Sequence, residues 1–287
     1  MRNPVSTPSD LPPKPLANAI GTIDHVVIVV DGLAPAAETY RRLGFTLSPR
    51  GVHSAALGTS NHTIMLARDY FELLAVESPT ERNSEWRRVI AGGGGLAGVA
   101  MTTQDPHAAH AHWLTTGLSP EAPIKVARAV PRPDGSTLEA RFEVVSLDEI
   151  PDAGLRVFVC SQPTREAVWI PELVTHANTA TAIRRLVLAC PDPERSAAQW
   201  QRALPAARRL AGGDGLTLDT GRHQIVLVPG NSGKVRPVGI DYVVAELPVC
   251  RRVLAHAKVP YADMGSRLIV PAASACNVVL GFEAATD

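Results

Sequence analysis

IDHVVIVVDGLAPAAETYRRLGF (residues 23–45) and IRRLVLACPDPERSAAQWQRAL (183–204) decide the fold, because each reads as the same short unit. An apolar, β-branched run leads through an Asp and a Pro into a short amphipathic helix. LAGVAMTTQDPHAAHAHWLTTGL (96–118) is a weaker copy, and IDYVVAELPVCRRVLAHAKV (240–259) a fourth. Asp105-Pro106 and Asp192-Pro193 are suited to the N-cap and first helical positions, while Gly44 and Gly117 stand where a left-handed residue ends a helix. After each helix come strand-like segments that end in an apolar run: YFELLAV (70–76), LRVFVC (155–160), HQIVLV (223–228) and CNVVLGF (276–282). The unit is therefore βαβββ, repeated four times at about 21–78, 96–162, 183–229 and 238–284. One unit cannot bury its own sheet face. The expectation is an α+β protein whose modules pair into curved mixed sheets around a cavity.

Working outward, TERNSEWRRVIA predicts a helix between the first two modules, followed by a glycine hinge at 92–95. Residues 1–20 form a Pro-rich N-terminal tail with no apolar leader segment. The chain of 287 residues is 45% hydrophobic and 20% charged, a globular profile. Lys plus Arg equal Asp plus Glu at 28 each, so nothing in the charge favours a nucleic-acid partner. No apolar run is long enough to span a bilayer. Cys160, Cys190, Cys250 and Cys276 lie far apart without a CxxC pair, which favours small buried hydrophobes in a reducing cytoplasm over disulfides or zinc clamps.

The strand FELLAV is apolar on both faces, yet it carries Glu72, in step with Tyr70 and Leu74. A buried carboxylate is costly unless it is paired, protonated or bound to a metal. On the first strand, His25 lies in step with Ile23, Val27 and Val29, so it too faces an apolar side. Two inward polar groups can satisfy one another directly or through a divalent ion, and the residues alone leave both open.

A βαβββ unit that opens with DHVVI and closes with a Glu-bearing apolar strand resembles the vicinal oxygen chelate superfamily, and within it the glyoxalase-like group. IDHVVI (23–28), LGF (43–45), PRGVHSAALGTSNHTIMLARDYFELLAV (49–76) and WIPELVTHANTA (169–180) carry the resemblance, which is specific over 21–182 and only topological beyond 183. It implies a functional site in the N-terminal module pair (21–182) and a degenerate C-terminal pair (183–287). It also implies a divalent ion (iron, manganese, nickel or zinc) held by His25 and Glu72. His53 is the candidate third ligand, His62 and His176 are candidate catalytic histidines, and Asn61, Trp169 and Asn178 are candidate substrate contacts. His53 and His62 flank LGTSN on an expected hairpin. Elsewhere the ligand pattern is absent: the His25 position falls near Gly98–Val99 in module two, and on Arg185 and Tyr242 in modules three and four. Gln224 and Asn277 stand near the Glu72 position.

The resemblance implies a metal-dependent lyase, isomerase or dioxygenase acting on a small oxygenated molecule, with a homodimer as a common assembly. The alternative is a metal-free binding protein on the same scaffold. HAAHAH (107–112) reads as an exposed polar helix face. AGGGGLAG (91–98) lacks the Lys-Ser/Thr of a phosphate loop, and no GxSxG elbow supports a serine nucleophile.

Overall fold

Each module builds as its pattern dictates. In the computed structural model, which describes residues 19–285 except 133–134, 148–149, 151–152 and 213–214, module one runs β1 (Ile23–Val29), α1 (Leu33–Arg42), β2 (Gly51–Val52), β3 (Thr59–Met65) and β4 (Tyr70–Val76). The helix α2 (Ser84–Ala91) leads through Gly93, Gly94 and Gly95, all at positive φ, into module two. That module comprises β5 (Gly95–Thr102), α3 (Pro106–Thr115), β6 (Ile124–Pro131), β7 (Thr137–Ser146) and β8 (Arg156–Ser161). Module three comprises β9 (Ala180–Cys190), α4 (Pro193–Ala203), β10 (Arg208–Gly212), β11 (Gly215–Asp219) and β12 (Gln224–Pro229). Module four comprises β13 (Arg236–Val244), α5 (Leu247–His256), β14 (Ala262–Asp263), β15 (Arg267–Val270) and β16 (Val279–Ala284). The caps act as the sequence suggests: the Asp105 carboxylate accepts from the Ala108 N–H, and Asp192 accepts from the Arg195 N–H, each at 3.0 Å ahead of a proline. Gly44 and Gly117 sit at φ 87° and 71°, the left-handed conformation that ends their helices.

The modules pair into two eight-stranded mixed sheets, ordered β2-β3-β4-β1-β5-β8-β7-β6 and β10-β11-β12-β9-β13-β16-β15-β14. Within each module the first and last strands run parallel, and the paired modules meet through antiparallel β1–β5 and β9–β13. The two sheets share one hydrophobic core that contains residues of α1, α3, α4 and α5. Phe45 meets Tyr242 of the second sheet edge-on at 5.4 Å between ring centres, Phe71 lies tilted against it at 5.2 Å, and the Trp113 indole N–H donates to the Ala203 carbonyl at 2.9 Å. Between the sheets lies a buried polar link, His223 against Asp69 at 3.0 Å.

The four cysteines form no disulfide, and Cys160, Cys190 and Cys250 are buried. No helix among the described residues is long and apolar enough to cross a membrane. Of the Pro-rich tail, residues 1–18 lie outside the described residues.

Candidate functional site

The first sheet curls until β6 approaches β2, and its concave face encloses a cavity of about 800 Å³. Period-two alternation delivers the lining. Tyr70, Glu72 and Leu74 of β4 line it, whereas Phe71, Leu73 and Ala75 enter the shared core. Likewise Thr59, Asn61 and Thr63 of β3 line it, with Phe142 and Val144 of β7 and Phe158 and Cys160 of β8 opposite. The linking helix α2 adds Trp86 beside the cavity; its ring lies over Gly98, where a Cβ would meet it at 3.1 Å.

Glu72 and His25 do not answer each other. The Asn61 amide N–H donates to the Glu72 carboxylate, and the His25 Nδ1–H donates to Asp24 at 2.7 Å. Asp24 is itself buried and also accepts from the Gln162 amide at 2.6 Å. Holding the proton on Nδ1 fixes the tautomer and leaves Nε2 as the imidazole's electron-pair donor. The ring stacks on Tyr70 with centroids 4.3 Å apart and meets Phe158 edge-on at 5.4 Å, which fixes its plane. His53 lines the same cavity from the loop after β2, and its Nδ1 lies 2.7 Å from the Thr59 hydroxyl. Burial lowers its pKa, opposed by the nearby Glu72 carboxylate and reinforced by the Arg128 guanidinium. The same burial pushes the Tyr70 phenol and the Cys160 thiol well up, so both stay protonated at neutral pH.

His25 and Glu72 suit two donor positions of a divalent ion, since each has one polar atom tied to a supporting partner, the arrangement that orients metal ligands. A third protein ligand is not in place: among the described residues no three His, Cys, Asp or Glu side chains converge on one point. The rest of the coordination would fall to oxygen ligands from substrate and water.

Other expected site residues lie elsewhere. His62 is within β3 rather than on a hairpin, and by alternation it faces away from Asn61 and Thr63; its Nδ1 sits 2.7 Å from the Ser48 carbonyl. His176 is a buried clamp. Its Nδ1 accepts from the Thr46 N–H at 3.0 Å and its Nε2–H donates to the Met65 carbonyl at 2.9 Å, so neither nitrogen is left for catalysis. Asn178 is fully buried, donating to the Leu43 carbonyl and accepting from the Ala180 N–H. Trp169 stands behind the cavity wall, edge-on to Tyr70, with its N–H on the Leu66 carbonyl. Of the eight, His25, His53, Asn61 and Glu72 share the cavity.

Register also sets the positions equivalent to the site. In module two Gly98 pairs with Arg156 as His25 pairs with Tyr70, and Tyr70, Glu72 and Leu74 line the cavity as Arg156, Phe158 and Cys160 do, so the His25 position falls on Gly98, as expected. Modules three and four differ. In module four Asp241, not Tyr242, pairs with Arg185, and Glu283, not Asn277, lies on the last strand two residues beyond the partner of Asp241. In module three that position belongs to Val226 rather than Gln224. The matching face of the second sheet is filled by ion pairs: Arg185 with Asp241 at 2.8 Å and with Glu283, Arg267 with Asp241, and Arg184 with Glu283 at 3.3 Å. Gly281 makes room for them, because a Cβ there would collide with the Asp241 carboxylate.

Paired βαβββ modules with a His and a Glu on neighbouring parallel strands of one cavity define a glyoxalase-like scaffold. A glyoxalase-like domain model matches residues 23–204, so the chain belongs to that family. Solved structures agree in fold. A hypothetical protein from Staphylococcus aureus superposes with a TM-score of 0.67 at 12% identity, over 92% of this chain and 99% of the other. A mutant of 4-hydroxymandelate synthase from Streptomyces coelicolor gives 0.61 at 10% identity, over 94% and 95%. A xylose isomerase-like TIM barrel/4-hydroxyphenylpyruvate dioxygenase fusion protein gives 0.58 at 14%, over 99% of this chain and 52% of the other. At such identities the likeness is one of fold. Sequence comparison with curated proteins gives no match.

Proposed function

We propose that the chain is a metal-dependent glyoxalase-like enzyme that acts on a small oxygenated organic molecule in the cavity of the first sheet. The observation that carries this reading is the pair of supported donors on one wall: His25 with its tautomer set by Asp24, and Glu72 held by Asn61. These two would hold a divalent ion, which, when bound, supplies Lewis-acid stabilisation of negative charge developing on a substrate oxygen. The protein's own part is binding and proton control. Tyr70, Phe142 and Phe158 shape an apolar wall that displaces water, and Thr59, Asn61 and Thr63 offer polar atoms that orient a substrate. His53, lining the cavity with a lowered pKa, is neutral at pH 7 and can take up a proton there.

The test is the metal content of protein purified without added metal or chelator, in wild type and in the His25→Ala/Glu72→Ala double variant. About one ion per chain in the wild type, lost in the variant, is the expected result, since each ligand donates directly. A wild type without stoichiometric metal after reconstitution would sink the enzyme reading. The second reading, a metal-free binding protein, draws on the absence of a converged third ligand among the described residues. It predicts that removing Glu72 leaves ligand affinity nearly unchanged.

A further inference from the structure

Several arginines of the strands and the cavity are answered, and Arg82 and Arg88, which also line the cavity, are exposed to solvent. Arg156, half-buried at the cavity, lies 3.6 Å from Glu121 and 3.9 Å from Glu85, with its guanidinium over the Trp86 ring. Arg185 and Arg267 share Asp241, and Arg202 donates to the Thr116 and Gly117 carbonyls. Arg165 stacks on Trp169 and donates to the Arg68 carbonyl. Arg128 differs. It lines the cavity from β6, on the same face as Ile124 and Val126, its guanidinium 6.0 Å from the Phe142 ring centre, and it has no ion-pair or hydrogen-bond partner among the described residues. The space is made for it: a Cβ on Gly51 would come within 3.2 Å of an Arg128 nitrogen and 2.5 Å of the Asn61 side-chain oxygen Oδ1.

A half-buried guanidinium over an aromatic ring, flanked by aliphatic side chains, lacks both full hydration and a counter-ion. Its five donors in a planar fork match an oxyanion better than any neutral group. The cavity's lining charges balance overall, with Arg82, Arg88, Arg128 and Arg156 against Glu72, Glu81, Glu85 and Glu121, so no net charge of the lining draws an anion in. The local pairing is uneven. Arg156 has its glutamates, Glu72 has Asn61, and Arg128 faces open space.

We propose that Arg128 is the specificity-determining residue of the cavity and that the substrate is an organic oxyanion, its carboxylate or phosphate-type group seated on the Arg128 guanidinium. The inference rests on the cavity being the substrate site, as proposed above. The anionic end of the ligand lies toward β6 and β2, leaving its remaining oxygens for the His25–Glu72 wall across the cavity.

Calorimetric titration with benzoate and benzamide tests it, because the two match in size and differ in charge; phenylphosphonate separates a carboxylate seat from a phosphate seat. Wild type should bind benzoate or phenylphosphonate at least about ten-fold tighter than benzamide, the worth of a charge-assisted pair in a partly dry site. Arg128→Gln should bring the anion down to the level of benzamide, and Arg128→Lys should keep part of the preference, a point charge replacing a fork. Equal binding of the three probes, no binding of either anion, or a preference that survives Arg128→Gln overturns the inference. So does a preference lost in His25→Ala/Glu72→Ala but kept in Arg128→Gln, which would place the anion on a bound metal instead. Metal content measured on the same samples reports on the enzyme reading separately: Arg128→Gln should keep its metal whatever happens to the anion.

Discussion

At His176 both ring nitrogens are spent, one accepting from Thr46 and the other donating to Met65, so the imidazole joins the loop after α1 to the end of β3. Replacing it with Ala orphans a backbone N–H and a carbonyl and should cost about 2–4 kcal/mol by denaturant unfolding. Metal content and anion preference should not change, which distinguishes a clamp from a catalyst. Burial lowers the His176 pKa in the folded protein. The unfolded chain then binds the extra proton first, at about pH 6.5, so stability is held above that pH and falls as the pH drops through it toward the lower folded value. His176→Ala should flatten that slope. Glu72 could be placed on the cavity face from sequence because alternation along β4 is unbroken; His25 keeps step with Val27 and Val29, but Ile23 lies in the shared core because the ladder skips Asp24. His62 could not be placed, since its face depends on where β3 begins, and the chain starts that strand at Thr59, ahead of the expected turn. Arg128 gave no signal either. IKVARAVP alternates Ile, Val and Arg against Lys and Ala, and only the return of β6 toward β2 decides which set faces the cavity.

Among the elements, a single bulge explains why two near-identical strands present different residues. IDHVV and IDYVV open modules one and four, and aligning them pairs His25 with Tyr242. The β1–β5 ladder skips Asp24, which lies between the Ile23 and His25 pairings, whereas the β13–β9 ladder pairs Asp241 itself with Arg185 and skips Arg184 on the partner strand. A one-residue slip exchanges the two faces of a strand. Thus His25 reaches the first cavity, while Tyr242 goes to the shared core and Asp241 to the opposite face. Repeat periodicity shows the modules; it does not show the bulges, because these arise from the partner strand. The outcome in the second sheet is an ion-pair cluster where the first has its cavity, and burial raises the Asp241 pKa even with Arg267 and Arg185 beside it. Arg185→Ala leaves Asp241 and Glu283 short of a partner and should destabilise by about 3–5 kcal/mol in thermal or chemical unfolding. Exchanging Arg185, Asp241 and Glu283 together for apolar residues of similar volume should recover most of that loss. Equal damage from the single and the triple change would mean that the cluster acts through packing and not through charge.

Across the whole molecule, the four modules use their helices once, between the sheets. Trp113 and Trp200, on α3 and α4, are fully buried in the same core as Tyr40 of α1 and Leu254 of α5, and Phe45, in the loop after α1, and Phe71 of β4 meet Tyr242 and Phe282 of the second sheet. Each sheet therefore turns one face to the partner sheet through a helical layer and the other to its own interior, which in the first sheet is the cavity. The sequence signals each module separately, yet nothing local encodes how the opposite pairs interlock, because those contacts join residues far apart in the chain, such as Trp113 and Ala203, Tyr40 and Ala275, or Asp69 and His223. Phe45→Ala removes an aromatic side chain from the centre of this layer, where backbone on both sides limits collapse, and should cost about 3–5 kcal/mol. Because the layer is shared, the loss should appear in one cooperative transition that reports equally on tryptophans of both halves, Trp113 and Trp200. A chain cut after residue 182 keeps the whole cavity but exposes the inner faces of α1 and α3 and the Phe45–Phe71 cluster. It should bind a hydrophobic dye and aggregate, while the full chain binds the dye far less. A well-folded, monomeric 19–182 fragment that keeps the benzoate preference would show instead that the second sheet is dispensable to the first, and that the shared core is a contact between two self-sufficient units.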